Sequence, residues 1–382
     1  MGVLRMKQTE SVISTYTADV SGVCSALYEM GGMVVMHDAS GCNSTYNTHD
    51  EPRWYDIDSM VYISGLSEME AVMGDDGKLI DDIVQAAGEL SPKFIALAGT
   101  PIPMMIGTDY KAVASVIEKK TGIPTFGFAT NGMHDYLSGI SMAFEAFASR
   151  MTSPMEVVPH SVNVLGLTPL DFAVCGYDRE LVSRLQADGF TVLSTWSMGC
   201  SLEDIGRSAA AEVNLVVSWC GLAAAKKLKA MYGTPYVIGA PVGQKFTAEV
   251  LDALHRSAED KTCRNLCQPA SPEGTTVLIG ESVTSLSLAA ALRWEGGGDV
   301  RVICPVCCES QPGLVRALDE DELVKALAGA RTVVADPLYQ PICKDKRFVR
   351  LPHEAFSGRL FRREDVNLLT GFDQLKKEIL GE

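Results

Sequence analysis

The sequence predicts an α/β protein of three Rossmann-like units, each with a parallel sheet flanked by helices. Short, continuously apolar runs alternate with amphipathic stretches of helical length along the whole chain, which is typical of strands buried on both faces. The chain has 382 residues, 47% of them hydrophobic, which is enough for two or three domains. The strand predictions are Gly32–Met36, Phe94–Ala98, Thr125–Phe128, Ser161–Leu165, Thr191–Ser194, Leu215–Ser218, Tyr236–Ile238, Thr276–Ile279, Val300–Ile303, Thr332–Ala335 and Phe348–Arg350.

Two breaks in the periodic pattern set the unit boundaries. Met151–His160 has two prolines and no clear period, and Glu259–Gly274 is a second irregular stretch. We therefore predict units at 1–155, 156–270 and 271–382. Ligands of such sheets bind at the carboxyl ends of strands, so functional residues are expected in the loops that follow strands.

The net charge restricts the partners. A formal charge of −15 argues against nucleic-acid binding and against a polybasic membrane patch. The N-terminal region has no apolar run of the signal-peptide type, and no stretch reaches the roughly 18 apolar residues of a membrane span. We expect a cytoplasmic protein.

Several nucleotide and hydrolase motifs are absent from the sequence. There is no G-x-x-x-x-G-K-[ST] loop, so the chain is not expected to bind or hydrolyse ATP itself. The glycine turns have the wrong spacing for G-x-G-x-x-G, so NAD is not expected either. No G-x-S-x-G motif of a serine hydrolase is present.

Two of the eleven cysteines lie near the N-terminus among small residues. Cys24 is in SGVCSAL, and Cys42 is in HDASGCNSTY directly after a predicted strand. Iron–sulfur clusters are held by thiolates, and small residues let backbone N–H groups approach the cluster sulfur atoms. The alternative is that both are ordinary buried thiols, which the spacing alone does not exclude.

Six segments, in order along the chain, resemble the nitrogenase component 1 family. They are VVMHDASGCNSTY, ISGLSEMEAVMGDDGKLIDDI, FIALAGTPIPMMIGTDYKAV, TNGMHDYLSGISMAFEAF, AAEVNLVVSWCGLAAAKKLKAMYGTPYVIGAPVG and RFVRLPHEAFSGRL. The resemblance implies that Cys24, matched to a cysteine in a Gly/Ser-rich turn, and Cys42 bind an iron–sulfur cluster. It also implies a separate P-loop iron–sulfur ATPase that donates electrons.

One departure from the family pattern implies a dimer. Thr100 stands where family subunits with a full cluster site have a third cysteine, and Thr108 replaces an acid nearby. A hydroxyl is a poor ligand for soft iron–sulfur centres. The simplest arrangement that gives a [4Fe–4S] cluster four thiolates is a homodimer, with Cys24 and Cys42 contributed by each subunit. A different partner subunit that supplies the missing ligands is the competing possibility.

Polar and aromatic residues surround the Cys42 segment. His37, His49 and Asp50 are potential ligands, proton donors or hydrogen-bond partners of ligands, but for His49 and Asp50 a polar surface loop is the preferred interpretation. The aromatic residues Trp54 and Tyr55 are expected against the cluster, in the dimer interface or in the core.

A second cysteine group lies in the third unit. Cys304, Cys307 and Cys308 form CPVCCES at a predicted strand end, and C-x-x-C is a metal or redox spacing. With Cys343 they would make a four-thiolate site; the alternative is that some are buried and others face a cavity. Another C-x-x-x-C pair, Cys263 and Cys267, falls in the second break.

The active-site metal cluster of true nitrogenases needs a cysteine in the second unit and a histidine in the third. Here Ser218 occupies the cysteine position, with Cys220 two residues beyond, and His353 is offset by one. We therefore expect no iron–molybdenum-type cofactor, and we take His37, Cys220 and His353 as residues that line a substrate pocket among the three units. A buried thiol is the alternative for Cys220.

The function that the resemblance implies is a nitrogenase-like catalytic component. It would accept electrons from the ATPase and relay them through the cluster to a small-molecule or tetrapyrrole-type substrate. One alternative is a non-catalytic scaffold or carrier for a metal cluster or tetrapyrrole in cofactor assembly. Another is a small-molecule binding protein without a cluster.

Overall fold

The computed structural model describes residues 12, 14–39, 50–267, 271, 274–309, 313–359 and 365–382. In this part of the chain there are three parallel sheets, each with helices packed against it, which confirms the predicted α/β architecture. The strands of each sheet fall within one of the three predicted ranges, while the exact unit boundaries stay a prediction. No helix of the described part combines the length and apolar character needed to cross a membrane.

The first sheet has four strands in the order β2-β1-β3-β4, all parallel. Its strands are β1 Met33–His37, β2 Met60–Ile63, β3 Ile95–Gly99 and β4 Thr125–Phe128. Its helices are α1 Asp19–Leu27, α2 Glu68–Met73, α3 Gly77–Leu90, α4 Pro101–Ile106, α5 Tyr110–Thr121 and α6 Tyr136–Arg150. Because parallel strands end at one edge, the segments after β2, β1 and β3 leave the sheet side by side.

The second sheet has five parallel strands in the order β6-β5-β7-β8-β9. Its strands are β5 Val158–Leu167, β6 Thr191–Ser197, β7 Ala211–Val216, β8 Tyr236–Ile238 and β9 Arg264–Asn265. Its helices are α7 Pro169–Phe172, α8 Tyr177–Ala187, α9 Leu202–Gly206, α10 Leu222–Tyr232 and α11 Lys245–Asp260. Two 3₁₀ turns, at Arg207–Ala210 and Trp219–Gly221, complete this unit.

The third sheet has five parallel strands in the order β12-β11-β10-β13-β14. Its strands are β10 Thr276–Ile279, β11 Val300–Cys304, β12 Leu314–Arg316, β13 Thr332–Ala335 and β14 Arg347–Arg350. Its helices are α12 Ser282–Trp294, α13 Glu320–Ala326 and α14 Phe372–Leu380, with a 3₁₀ turn at Pro337–Ile342. An antiparallel bridge between Tyr16 and Phe356 joins the N-terminal segment to this unit.

The sequence prediction missed three short strands, and each has a physical reason. The strands β2 and β12 are sheet edges with partly exposed side chains, and β9 has only two residues. β9 and β12 lack the continuously apolar pattern on which the other strands were predicted, because an edge strand is solvated on one side; β2 (MVYI) is apolar but is only four residues long and exposes Tyr62 at the sheet edge.

The prediction that Cys24 lies in a Gly/Ser-rich turn is wrong, because Cys24 lies in the middle of helix α1. The small residues around it serve helix packing. A Cβ atom on Gly22 would lie 2.1 Å from the carbonyl oxygen of Tyr136, and one on Gly139 would lie 1.8 Å from that of Asp19. Glycine at these two positions allows α1 and α6 to pack closely, so the small residues are explained without a cluster.

Candidate functional site

The carboxyl edge of the first sheet carries the first group of predicted site residues. Cys42 and His49 lie outside the described residues. His37 ends β1, is buried, and shares a 2.8 Å hydrogen bond through Nδ1 with Ser64 Oγ. Burial lowers the pKa of His37. Thr100 donates to the His37 carbonyl oxygen at 2.8 Å and to Asp38 Oδ1 at 3.0 Å, so its hydroxyl ties the ends of β1 and β3 together.

The Cys24 thiol lies inside the main hydrophobic core and is fully buried. Burial, with a smaller effect of the Glu51 carboxylate, raises the pKa of the Cys24 thiol far above its ordinary value. A free thiolate is therefore disfavoured at this position. Among the described residues, no three His, Cys, Asp or Glu side chains are grouped so that they could hold a metal ion. Cys24 fits a cluster only together with ligands from outside this part of the chain.

A buried arginine connects α1 to the residues that follow the Cys42 segment. Arg53 Nε and Nη2 donate to the two Glu51 carboxylate oxygens at 2.7 and 3.1 Å, and Nη1 donates to Glu29 Oε1 at 2.7 Å. Nη2 also donates to the Ser25 carbonyl oxygen at 2.7 Å. Arg53 therefore fixes the backbone downstream of Cys42 against the helix that carries Cys24.

The other residues of this region have diverse surroundings. Asp50 is buried and accepts a 2.8 Å hydrogen bond from the Gly358 backbone, so its interpretation as part of a surface loop is wrong. Trp54 is half-buried against the core beside Tyr28, and Tyr55 is exposed.

Helices α2 and α4 present an exposed apolar surface at the same sheet edge. Helix α2 has no buried residue, and α4 buries only Pro103. Met69, Val72, Met73 and Met105 are each at least 70% exposed. We call Met69, Val72, Met73, Ile102, Met104, Met105 and Ile106 the α2–α4 surface. Because β1 lies between β2 and β3, Asp38, the residue after β1, lies next to the segments that lead into both helices: the Leu66 backbone donates to its carbonyl oxygen, and Thr100 donates to its side chain.

The cysteines of the third unit do not form one group. Cys304 and Cys308 share a hydrogen bond, which lowers the pKa of Cys308 and raises that of Cys304. The Cys307 backbone donates to Asp135, and Cys343 packs in a separate apolar cluster around Tyr339. In the described part, the structure does not gather the four predicted thiolates into a metal site.

The cysteines of the second break are also apart. Cys263 accepts a 2.9 Å hydrogen bond from Lys229 Nζ, whereas Cys267 is buried beside Ser287. The two thiols therefore face different surroundings.

A cavity of about 60 Å³, partly open to solvent, lies between the second and third units. It is lined by residues that follow the carboxyl ends of β5, β10 and β14, as expected for ligand sites of parallel sheets. Its polar lining residues include Asp171, Glu281, His353, Glu354 and Asp365. His37 and Cys220 are not among the lining residues.

Asp171 is the centre of a buried hydrogen-bond network behind the cavity. Tyr136 Oη donates to Asp171 Oδ1 at 2.5 Å, and Ser218 Oγ donates to Oδ2 at 2.6 Å. His353 Nε2 lies 3.2 Å from both Asp171 Oδ1 and Tyr136 Oη. Tyr136 comes from the first unit, Asp171 and Ser218 from the second and His353 from the third, so the network joins all three units.

The position of Cys220 is explained by this network. Its thiol donates to Ser218 Oγ at 3.3 Å and is fully buried. Burial, and then the charge of Asp171, raises the pKa of Cys220. Cys220 is thus a buried thiol that contacts the network through Ser218. A buried thiol was the alternative to a pocket residue in the sequence analysis.

Sequence reasoning missed the carboxylates of the cavity. Asp171 and Glu281 each follow a predicted strand by a few residues, and that position was the signal available for them. Burial, and then Asp171, raises the pKa of Glu281. Burial, and then Asp365, raises the pKa of Glu354 to about 8.

The raised pKa of Glu354 predicts a pH-dependent stability. Asp365, Asp336 and Arg359 face Glu354, and the protonated form is favoured in the folded state. The stability that this proton contributes is fully present below the unfolded pKa of about 4.3 and is lost as the pH rises towards 8. Glu354→Gln, which stays neutral, should exceed the wild type in free energy of unfolding by roughly 1–3 kcal/mol above that pH.

Urea unfolding at a series of pH values measures this difference. Glu89→Gln, on an exposed position of α3, is the matched control and should follow the wild-type profile. Parallel profiles of the wild type and Glu354→Gln would contradict the prediction.

Comparison with known proteins places the chain in a family. Residues 19–276, more than half of the chain, match the family described as nitrogenase component 1 type oxidoreductase. The chain belongs to this family.

The relatives are distant. The chain is 23% identical over 239 residues to the nitrogenase iron-molybdenum cofactor biosynthesis protein NifE of Nostoc sp., covering 61% of this chain and 47% of NifE. It is 23% identical over 235 residues to the nitrogenase molybdenum-iron protein alpha chain of Clostridium pasteurianum, covering 59% of this chain and 41% of the alpha chain. It is 22% identical over 237 residues to the nitrogenase iron-molybdenum cofactor biosynthesis protein NifE of Klebsiella pneumoniae, covering 58% of this chain and 51% of that NifE. The chain thus spans about half or less of the length of these relatives.

A solved structure shows the same fold over the whole chain. Nitrogenase Cp1 at pH 6.5 superposes with a TM-score of 0.70 at 15% identity, covering 100% of this chain and 94% of that chain. This similarity supports the three-sheet architecture.

Proposed function

We propose that the chain is the catalytic component of a nitrogenase-like reductase. It accepts electrons from a separate iron–sulfur ATPase and uses them to reduce a small-molecule or tetrapyrrole-type substrate in the cavity between the units. The observation that carries the proposal is the family match over residues 19–276. The cavity supports it, because it lies at strand ends and adjoins a network that joins all three units.

We propose Cys24 and Cys42 of each subunit as the ligands of a [4Fe–4S] cluster shared across a homodimer. A bound cluster would supply one-electron transfer. Because Cys24 is fully buried, its thiolate would need the positive charge of the metal to offset the cost of burial.

Anaerobic purification with iron and sulfide analysis and an EPR spectrum tests this proposal. The proposal requires about four iron per dimer and a reducible cluster signal. Turnover should depend on both the partner ATPase and ATP. A protein without iron after anaerobic purification would contradict it.

A second function is favoured by the relatives themselves. NifE of Nostoc sp. is named as a cofactor biosynthesis protein. The chain would then be a scaffold that releases a metal cluster or tetrapyrrole to an acceptor. Transfer of the bound group to an acceptor without ATPase-dependent turnover would distinguish this role.

The α2–α4 surface supports the docking of the ATPase. Helix α2 has no fully buried residue and exposes Met69, Val72 and Met73, and an exposed apolar surface of this kind is typical of a contact site, so α2 is expected to be covered in a complex. Asp38, four residues before Cys42, follows β1 between the strands that lead into these two helices, so a donor docked there would be near the proposed cluster.

Met105→Glu should weaken ATPase-driven reduction. Met105 is 80% exposed, and a carboxylate would have to be desolvated in an apolar contact. We expect the KM for the ATPase to rise about tenfold or more, with iron content and stability unchanged. Steady-state kinetics with varied ATPase measures it. Val324→Glu, on exposed α13, is the matched control, and an equal effect of both substitutions would contradict docking at α2–α4.

A further inference from the structure

A lysine and a cysteine of the second unit are in direct contact at the edge of its sheet. Lys229 lies in the last turn of α10, and Cys263 lies immediately before β9, the edge strand. Lys229 Nζ donates a 2.9 Å hydrogen bond to Cys263 Sγ, and the Tyr236 backbone N–H donates to the same sulfur at 3.4 Å. The sulfur is therefore held beside the amine by contacts from two separate elements, α10 and β8.

The surroundings of this thiol are those of a reactive cysteine. Reactive cysteines lie in electropositive, partly exposed sites, whereas buried structural thiols are inert. Cys263 is half-buried and accepts a hydrogen bond from the exposed Lys229. The other half-buried thiols of the described part are Cys175 and Cys307, and burial raises the pKa of both. Among these three thiols, an oxidant should attack Cys263 first.

Hydrogen peroxide is the oxidant whose chemistry fits this pair. A thiolate attacks one peroxide oxygen, the O–O bond breaks, and the products are a sulfenic acid and a hydroxide ion. The hydrogen bond to Cys263 raises the pKa of Lys229, so its side chain is an ammonium that can protonate the departing hydroxide to water. The sulfur has then lost two electrons, and Lys229 is a neutral amine beside it.

We propose that Cys263 and Lys229 form a peroxide-dependent covalent link, a sulfenamide between Sγ and Nζ. The free amine attacks the sulfenic sulfur, the S–N bond forms, the S–O bond breaks, and the hydroxyl leaves as water with one amine proton. One thiolate, one ammonium and one peroxide thus give one link and two waters. The link would fasten β9 to α10, and it is independent of the proposed cluster because neither residue is one of the cluster ligands.

Peptide mapping of the purified full-length chain, treated with hydrogen peroxide and then alkylated without a reductant, tests the proposal. The expected product is a pair of tryptic peptides joined at Cys263 and Lys229, lighter by two hydrogen atoms than the two free peptides together. Trypsin should no longer cleave after Lys229, and an excess of dithiothreitol should restore both free peptides. Cys175 and Cys307 in the same digest are internal controls, and neither should be linked to a lysine.

Two arginine substitutions on exposed positions of α10 complete the test. Lys229→Arg keeps the charge and removes the amine, so the link should be absent and dimedone should trap Cys263 as its sulfenic acid. Lys226→Arg, one turn earlier and paired with Glu309, is the matched control and should still form the link. Separate Cys263 and Lys229 peptides in the treated wild type, a linked peptide that keeps an extra oxygen atom, or a linked Cys263 peptide in Lys229→Arg would overturn the inference.

Discussion

Replacing Cys42 by alanine should remove nearly all iron from the protein. If two subunits share one [4Fe–4S] cluster, the wild type holds about four iron per dimer, and each Cys42→Ala subunit removes one thiolate. A cluster left with two ligands, both of them buried cysteines on α1, should not survive purification. Iron and sulfide analysis after anaerobic purification, together with the loss of the EPR signal of the reduced cluster, measures the effect.

The same substitution distinguishes the shared cluster from other arrangements. Cys263→Ala removes a half-buried thiol of the second unit and should keep the wild-type iron content. Cys24→Ala should lower the iron content too. Gel filtration of each variant shows whether it is still a dimer. Four iron per monomer, unaffected by Cys42→Ala, would refute the shared-cluster model.

Much of the fold could be predicted because its strands are continuously apolar. β10 and β13, for example, have the predicted bounds, since burial on both faces leaves a local pattern that one sequence displays. α1 could not be predicted in this way. Its DVSGVCSAL sequence has two serines and a glycine, and it is helical because Gly22 and Gly139 allow close packing with α6, a contact between distant parts of the chain.

Residues of the candidate site could be predicted only where they lie in a segment that resembles the family. His353 was placed at a substrate pocket by its segment, and it lines the cavity. Asp171 was not predicted, although it connects residues of all three units, because an acidic residue shortly after a strand is common in α/β proteins and does not by itself indicate a site. Its importance depends on Tyr136 and Ser218, which are far from it in sequence and next to it in space.

Arg53→Met should destabilise the fold by about 3–5 kcal/mol, since it removes one partner of a buried ion pair. The guanidinium is only 2% exposed, and Glu51 is completely buried. Methionine fills much of the volume but leaves the Glu51 carboxylate without its cation, and it also removes the donors to Glu29 and to the Ser25 carbonyl. Urea unfolding at neutral pH measures the loss in free energy of unfolding.

Two comparisons separate the effect of leaving the Glu51 carboxylate buried without its cation from the effect of the lost side-chain volume. Arg256→Met removes exposed ion pairs to Glu249 and Asp252, and such pairs contribute less than about 1 kcal/mol. The double variant Glu51→Gln/Arg53→Met should recover part of the stability, because the uncompensated carboxylate is then gone. If Arg53→Met and Arg256→Met lower the free energy of unfolding by the same amount, burial does not increase the contribution of the Arg53 ion pair to stability. Arg53 joins α1 to the backbone after the Cys42 segment. Arg53→Met should therefore also lower the iron content of the protein, because α1 carries Cys24, one of the proposed cluster ligands.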